Sequence, residues 1–436
     1  MNPLSQELNE AIKEANPHVY DMLSRKGKHL YFPKGILSQG AEAKEKAYNY
    51  NATIGIATEN GVPMHLPSIM SYINLPPQQS LNYAPSFGIP QLRETWQRLL
   101  FEKNPSLRGK TISLPIVTNA ITHGLSVTTD MWIDEGDIVL LPDKIWGNYN
   151  LILTVLHDAH IRQYELFSPQ EGFNLAGFKA LLQKEAKRNE KIVVLLNFPN
   201  NPTGYTPTKQ EGKRIVEILY NLAEKGTNIV VLFDDAYFGL FYDDHSMKES
   251  LFALLTGVHD RIMAIKLDGG TKENYVWGLR VGFITYGTAV KPTNNNCYDA
   301  LEKKTAGAVR GSISNSSHLS QSILLGSLGS ENYTQEKEEK FSLLRNRANR
   351  VKEVLADKKY RETWDVYPFN SGYFMCLRVK NVNAEALRLH LLHKYGVGVI
   401  SLGETDIRIA FSCVEIEDIE KLFDIIFQGI KELEHR

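Results

Sequence analysis

The chain has 436 residues, 43% of them apolar and 23% charged, with a formal net charge of −1. That length exceeds what one compact core supports and predicts two domains, and the composition excludes a disordered or fibrous protein. Basic and acidic residues are interspersed without the regional basic excess of a nucleic-acid binder, so small-molecule chemistry is expected and nucleic acid is not an expected partner.

The first 20 residues, MNPLSQELNEAIKEANPHVY, are polar and lack the apolar centre of a secretory signal. No apolar stretch approaches the roughly 20 residues that span a bilayer, so no membrane partner is expected. Cys297, Cys376 and Cys413 are far apart and form no CxxC pair, which speaks against a disulfide framework or a zinc ribbon. A cytoplasmic protein without a structural metal is the expectation.

From about residue 66 to 320, short apolar runs alternate with amphipathic patterns. The strand candidates are SLPIVTN (113–119), DIVLLPD (137–143), KIVVLLNF (191–198), NIVVLFDD (228–235), RIMAIKLDG (261–269) and RVGFITYG (280–287). The runs at 192–196 and 229–233 are β-branched and lack polar alternation, which predicts strands buried on both faces. Between them, residues 206–228 read as a helix with Thr208 near its cap and Gly226 at its end. This βαβ order predicts an α/β fold with a largely parallel sheet between helices.

Residues 332–360 are highly charged but place Phe341, Leu344, Ala348, Val351 and Leu355 at helical spacing, the pattern of a solvated helix with one apolar face. The strand-like SGYFMCLRV (371–379) and DIRIAFS (406–412) and the amphipathic segment 415–434 point to a smaller α+β domain. The expected division is a large domain over 66–325 and a small domain built from 1–65 and 326–436.

Ligands of an open parallel sheet collect at the carboxyl ends of its strands. Trp146 follows the second candidate strand, Asn201 the third, Asp234 lies near the end of the fourth, and Lys272 follows the fifth. An amine at Lys272, a cation at Arg280, and the segments Asn201-Pro202-Thr203-Gly204 and Asp234-Asp235-Ala236-Tyr237 suit one cofactor in particular. Pyridoxal phosphate (PLP) asks for an imine-forming amine, a phosphate-binding cation and polar contacts to a phenol-like ring.

In these motifs the chain resembles, over nearly its full length, the class I/II aminotransferases of PLP fold type I, and among them the aspartate and aromatic aminotransferases. The resemblance implies that Lys272, preceded by Thr271 in the cofactor site, is the Schiff-base lysine, with Gly278-Leu279-Arg280-Val281-Gly282 following. Asp234 would pair with the pyridine nitrogen, and Tyr237 and Asn201 would hydrogen-bond the phenolic oxygen. Trp146 would stack on the ring, and Asn148 and Asn201 would lie near the substrate carboxylate. The segment 118–125 matches the family's phosphate turn, where Ile121, Thr122 and Arg280 would hold the phosphate. Ala120 and Gly269 stand where close relatives often carry serine.

Tyr83, by the same resemblance, reaches a phosphate across the interface of a homodimer. Arg408 would grip the α-carboxylate of the substrate, with Gly55 as a backbone turn beside it and Ile54 as an apolar lid. Arg310, in Arg310-Gly311-Ser312-Ile313-Ser314-Asn315, matches the arginine that reads a distal carboxylate from the partner subunit; a helix-end arginine without substrate contact is the alternative. The implied reaction is amino transfer between an L-amino acid and a 2-oxo acid, with glutamate/2-oxoglutarate or aspartate as one pair. A PLP-dependent C–S lyase, decarboxylase or cyclopropane-forming synthase shares the skeleton, and a non-catalytic PLP-sensing regulator is the reading from another class.

Overall fold

The computed structural model describes residues 1–33, 35–170, 172–290 and 296–434. Its centre is a seven-stranded sheet: β1 (Ile116–Asn119), β2 (Ile138–Pro142), β3 (His160–Tyr164), β4 (Lys191–Asn197), β5 (Asn228–Asp234), β6 (Ile262–Gly269) and β7 (Val281–Gly287). The strands lie in the order β1-β7-β6-β5-β4-β2-β3. Five of them, β3, β2, β4, β5 and β6, are parallel, while β7 runs antiparallel to both β1 and β6.

Side-chain alternation along these strands feeds two cores. Val139, Val193, Val230 and Ile265 belong to one cluster, and Leu140, Val194, Val231 and Ala264 to the other. Helices cover both. The relevant ones are α1 (Ile36–Lys46), α2 (Pro90–Lys103), α3 (Ala120–Trp132), α4 (Lys209–Ala223), α5 (Asn296–Ile313), α6 (Tyr333–Leu355) and α7 (Ile419–Glu434). Leu92, Trp96 and Leu100 of α2 and Ile215 and Leu219 of α4 pack on one face, and Ile121 and Leu125 of α3 on the other. Thr208 caps α4 in a reciprocal box: its side chain accepts from the Glu211 N–H and the Glu211 side chain accepts from the Thr208 N–H.

A second sheet comprises β8 (Trp364–Val366), β9 (Phe374–Val379), β10 (Ile400–Leu402) and β11 (Asp406–Ala410), antiparallel in the order β8-β9-β11-β10. The N-terminal segment lies beside it: Tyr50–Asn51 pairs in parallel with Val397–Gly398 as a separate two-stranded sheet, and the Ala410 N–H donates to the Ala52 carbonyl at 2.9 Å. The two sheets are tied at the Asn-Pro-Thr-Gly turn. Gly204 has φ +73°, and a Cβ there would lie 2.0 Å from the Phe374 carbonyl oxygen, so only glycine allows this approach.

Two features depart from expectation. Strand β3, HIRQY, carries no apolar run because it lies at the sheet edge with mostly exposed or half-buried side chains. On α6 the apolar stripe Leu344, Ala348 and Val351 is buried as expected, but Arg347 is buried beside it. Its guanidinium donates to the Thr58 and Ser412 carbonyls and pairs with Glu415, so this charged residue ties α6 to the small sheet. Among the described residues all three cysteines are free, and no helix is long and apolar enough to cross a membrane.

Candidate active site

At the carboxyl ends of β4, β5 and β6 the chain leaves a cavity of about 360 Å³. Gly55, Ile121, Thr122, Trp146, Asn201, Asp234, Tyr237, Lys272, Arg280 and Arg408 all line it, brought together from segments spread over more than 350 residues of sequence.

Asp234 ends β5 in register with Asn197 of β4, whose side-chain amide donates to the Asp234 carbonyl at 2.8 Å. The carboxylate is buried, and one oxygen accepts from the Tyr149 hydroxyl at 2.5 Å while the other accepts from the Ala236 N–H at 3.2 Å. Burial pushes the Asp234 pKa upward against the opposing effects of Tyr149, Lys272 and Ala236. Lys272 lies in the short helical turn after β6, with Nζ 5.1 Å above the Tyr237 ring. Desolvation lowers its pKa to about 8, the charge of Arg280 acting in the same direction and that of Asp234 against it.

The N-terminus of α3 offers N–H groups with no carbonyl one turn back, Ile121 and Thr122 among them. Arg280 faces the same corner, and the Ala120 N–H donates to its carbonyl at 3.0 Å. Both residues hold left-handed backbone, φ 61° at Ala120 and φ 55° at Arg280, which is strained for a residue with a Cβ. Serine would not fit at 269 in this backbone: a Cβ there would lie 2.4 Å from the Val281 carbonyl oxygen.

Arg408 rises from β11 with its guanidinium 4.2 Å over the Phe374 ring. It is buried, donates to Asn201 Oδ1 at 3.2 Å and to the Thr53 carbonyl at 2.9 Å, and its Nε has no partner. No carboxylate among the described residues forms an ion pair with it, which suits a guanidinium waiting for an external one. The bond to Oδ1 leaves the Asn201 Nδ2 amide as the donor end of that side chain.

Five expected residues do not line the cavity, one of them Ile54, the expected lid, which is 38% exposed. Thr271 is buried with its hydroxyl unpartnered, and Asn148 is half-buried beyond the Trp146 loop. Tyr83 is 90% exposed, and Arg310, near the end of α5, is exposed and donates to Ser314 Oγ at 2.9 Å. Conversely Ile36, Leu37, Asn197 and Phe374 line the cavity without having been singled out from the sequence, and Tyr149 lines it beside them. Asn197 was reachable by the strand-end rule that found Asp234. Ile36 and Leu37 carry no local signal, since α1 arrives only through tertiary packing.

The donor set fits PLP: an amine of lowered pKa, a buried carboxylate, an anion corner at a helix start, and a buried arginine with an unpartnered Nε. Comparison with solved structures agrees. An aminotransferase from Anaerococcus prevotii superposes with a TM-score of 0.82 at 22% identity, covering 94% of this chain and 99% of that one. The fold is therefore PLP fold type I. A family profile described as aminotransferase class I and II matches residues 66–426, and the chain belongs to that family. Among curated relatives, a protein of Bacillus subtilis named "Probable N-acetyl-LL-diaminopimelate aminotransferase" is 26% identical over 52% of this chain and 54% of its own length. One of Methanocaldococcus jannaschii named "Probable aspartate aminotransferase" is 26% identical over 79% of this chain and 84% of its own. The match thus spans about half of the first relative and most of the second.

Proposed function

We propose that this protein moves an amino group between an L-amino acid and a 2-oxo acid at Lys272, with glutamate/2-oxoglutarate or aspartate as one pair. The observation that carries this reading is the convergence of Lys272, Asp234, Arg280 and Arg408 on one cavity. PLP, when bound, supplies an electron-accepting ring that makes the Cα–H bond of an amino acid acidic. Ile121, Thr122 and Arg280 would hold its phosphate, Asp234 would pair with its ring nitrogen, Tyr237 and Asn201 would donate to its phenolic oxygen, and Trp146 would stack on the ring. Thr271, whose buried hydroxyl has no partner, would belong to the same cofactor site beside Lys272.

Arg408 binds the α-carboxylate with its two parallel donors, next to Gly55 and Asn201, and so fixes how Cα is presented. Freed Lys272 Nζ would take the proton from Cα and deliver it to C4′ of the cofactor, a task for which a pKa of about 8 is suited at neutral pH. The large domain over 66–325 supplies the cofactor site; the small one, from 1–65 and 326–436, supplies Arg408 and Gly55. The aminotransferase names of both relatives favour transfer over lyase or decarboxylase chemistry.

In this reading the chain works as a homodimer in the cytoplasm. Tyr83 (90% exposed) and Leu81 (81% exposed) present apolar surface on one segment, as a subunit interface requires. Tyr83 would reach the partner's phosphate and Arg310 the distal carboxylate of the partner's substrate, with Asn148 near the α-carboxylate. The test is titration of the PLP-loaded protein with single amino acids, following the visible band and the products. Stoichiometric loss of the band with release of the matching 2-oxo acid is expected, and aspartate or glutamate should be among the active donors. Pyruvate and ammonia in place of a matching 2-oxo acid would overturn transfer.

A further inference from the structure

Burial of Asp234 favours its neutral acid form, which cannot neutralise a protonated ring nitrogen. Four neighbours act on it besides burial: Tyr149, Lys272 and the Ala236 N–H favour the charged form, and adjacent Asp235 opposes it. They are not equivalent. Lys272 gives and takes a proton in the reaction proposed above, so its charge is not constant. The Ala236 contact is long, at 3.2 Å. Tyr149 alone offers a short bond, 2.5 Å, from a hydroxyl that is itself buried.

Tyr149 is also held firmly. Its N–H donates to the Trp146 carbonyl at 3.0 Å, and its ring meets the Trp146 ring edge-on at 5.5 Å. Directly after it, Asn150–Val155 wind as a π-helix, closed by the Leu156 N–H on the Leu151 carbonyl at 3.0 Å. Such wide turns are rare and frequent at functional sites. This one starts where Trp146 and Tyr149 must both face the cavity. Burial and the adjacent charge of Asp234 raise the Tyr149 pKa well above 10, so the hydroxyl stays neutral and donates throughout the working pH range.

We propose that Tyr149 is the positioning residue that keeps the Asp234 carboxylate ionised and aimed at the cofactor ring nitrogen, an inference resting on the PLP-site reading. The experiment compares wild type, Tyr149→Phe, Tyr149→His, Asp234→Asn and the double variant Tyr149→Phe/Asp234→Asn. Three quantities are read: PLP affinity of the apo-protein by absorbance titration, the pH titration of the visible band, and the apo-protein melting temperature.

Loss of a hydrogen bond to a charged group predicts about 10- to 100-fold weaker PLP binding in Tyr149→Phe. The band titration should shift, Tyr149→His should recover most of the affinity by restoring a donor, and the apo-protein should melt near wild type. Against Asp234→Asn, the phenylalanine should add no further loss, because the tyrosine acts through that carboxylate. Unchanged affinity in Tyr149→Phe, an additive loss in the double variant, or a loss that histidine does not recover would overturn the proposal. If Tyr149→Phe does not fold, Tyr149→His must by itself stay within a few-fold of wild type, and a larger deficit overturns it. Wild type without PLP affinity would instead bring down the function proposed above, and this inference with it.

Discussion

Burial decides the chemistry of single residues here. The amine of Lys272, drawn to about 8, is neutral and nucleophilic for a large fraction of molecules under mildly alkaline conditions. Capture of PLP by the apo-protein should accelerate as pH rises through about 8, read by stopped-flow absorbance; a midpoint at the ordinary lysine value of 10.5 would contradict it. Arg408 is buried without an acidic partner among the described residues, so it is expected to find one in the substrate. Arg408→Ala should lower kcat/KM by about 2–5 kcal/mol, and Arg408→Lys should recover only part, since it restores charge without the fork. Much of this was legible in sequence, because strand ends dictate where Asn201, Asp234 and Lys272 emerge. The Tyr149–Asp234 bond was not: 85 residues separate the pair, and only the path of the chain between them brings hydroxyl to carboxylate.

Elements behind the cavity carry a buried ionic layer. Lys266 of β6 is fully buried and pairs with Asp235, the neighbour of Asp234, and with Asp268 at 3.4 Å. Glu273, the neighbour of Lys272, pairs with Lys103 of α2 and with Lys337 of α6 at 2.7 Å. Both cavity groups are thus flanked in sequence by residues anchored from other elements. The two lysines hold Glu273 at about 2 against burial, below its ordinary 4.5. A depressed carboxylate contributes stability that is present above 4.5 and lost as pH falls through about 2. The melting temperature should therefore fall over that window, and Glu273→Gln should flatten the slope; equal slopes would contradict the anchoring. Gly204→Ala should destabilise by more than about 1 kcal/mol in urea unfolding, since a left-handed residue gains a Cβ against the Phe374 carbonyl. The doubly buried strands were legible because burial on both faces leaves an unbroken apolar run. The reversed direction of β7 was not, since such a run reads alike in either sense, and β3 escaped because an edge strand needs no apolar faces.

At the scale of the molecule, two sheets meet at the cavity: the seven-stranded one supplies Asp234, and the four-stranded one supplies Arg408. Sedimentation should give about twice the chain mass of 49.4 kDa, and dilution to monomer should weaken PLP binding if Tyr83 serves the partner's site. A monomer with full PLP affinity would remove that role. The four-stranded sheet was legible in the change from βαβ order to a charged helix and short strands; the parallel pairing of Tyr50–Asn51 with Val397–Gly398 was not, because short segments far apart in the chain carry no periodicity. All of these roles depend on Lys272 carrying the cofactor. Borohydride reduction of the PLP-loaded protein, followed by peptide mapping, tests this most directly. The expected result is one pyridoxyl group per chain, on Lys272. A label on Lys266 or any other lysine, or a protein that takes up no PLP, would contradict it.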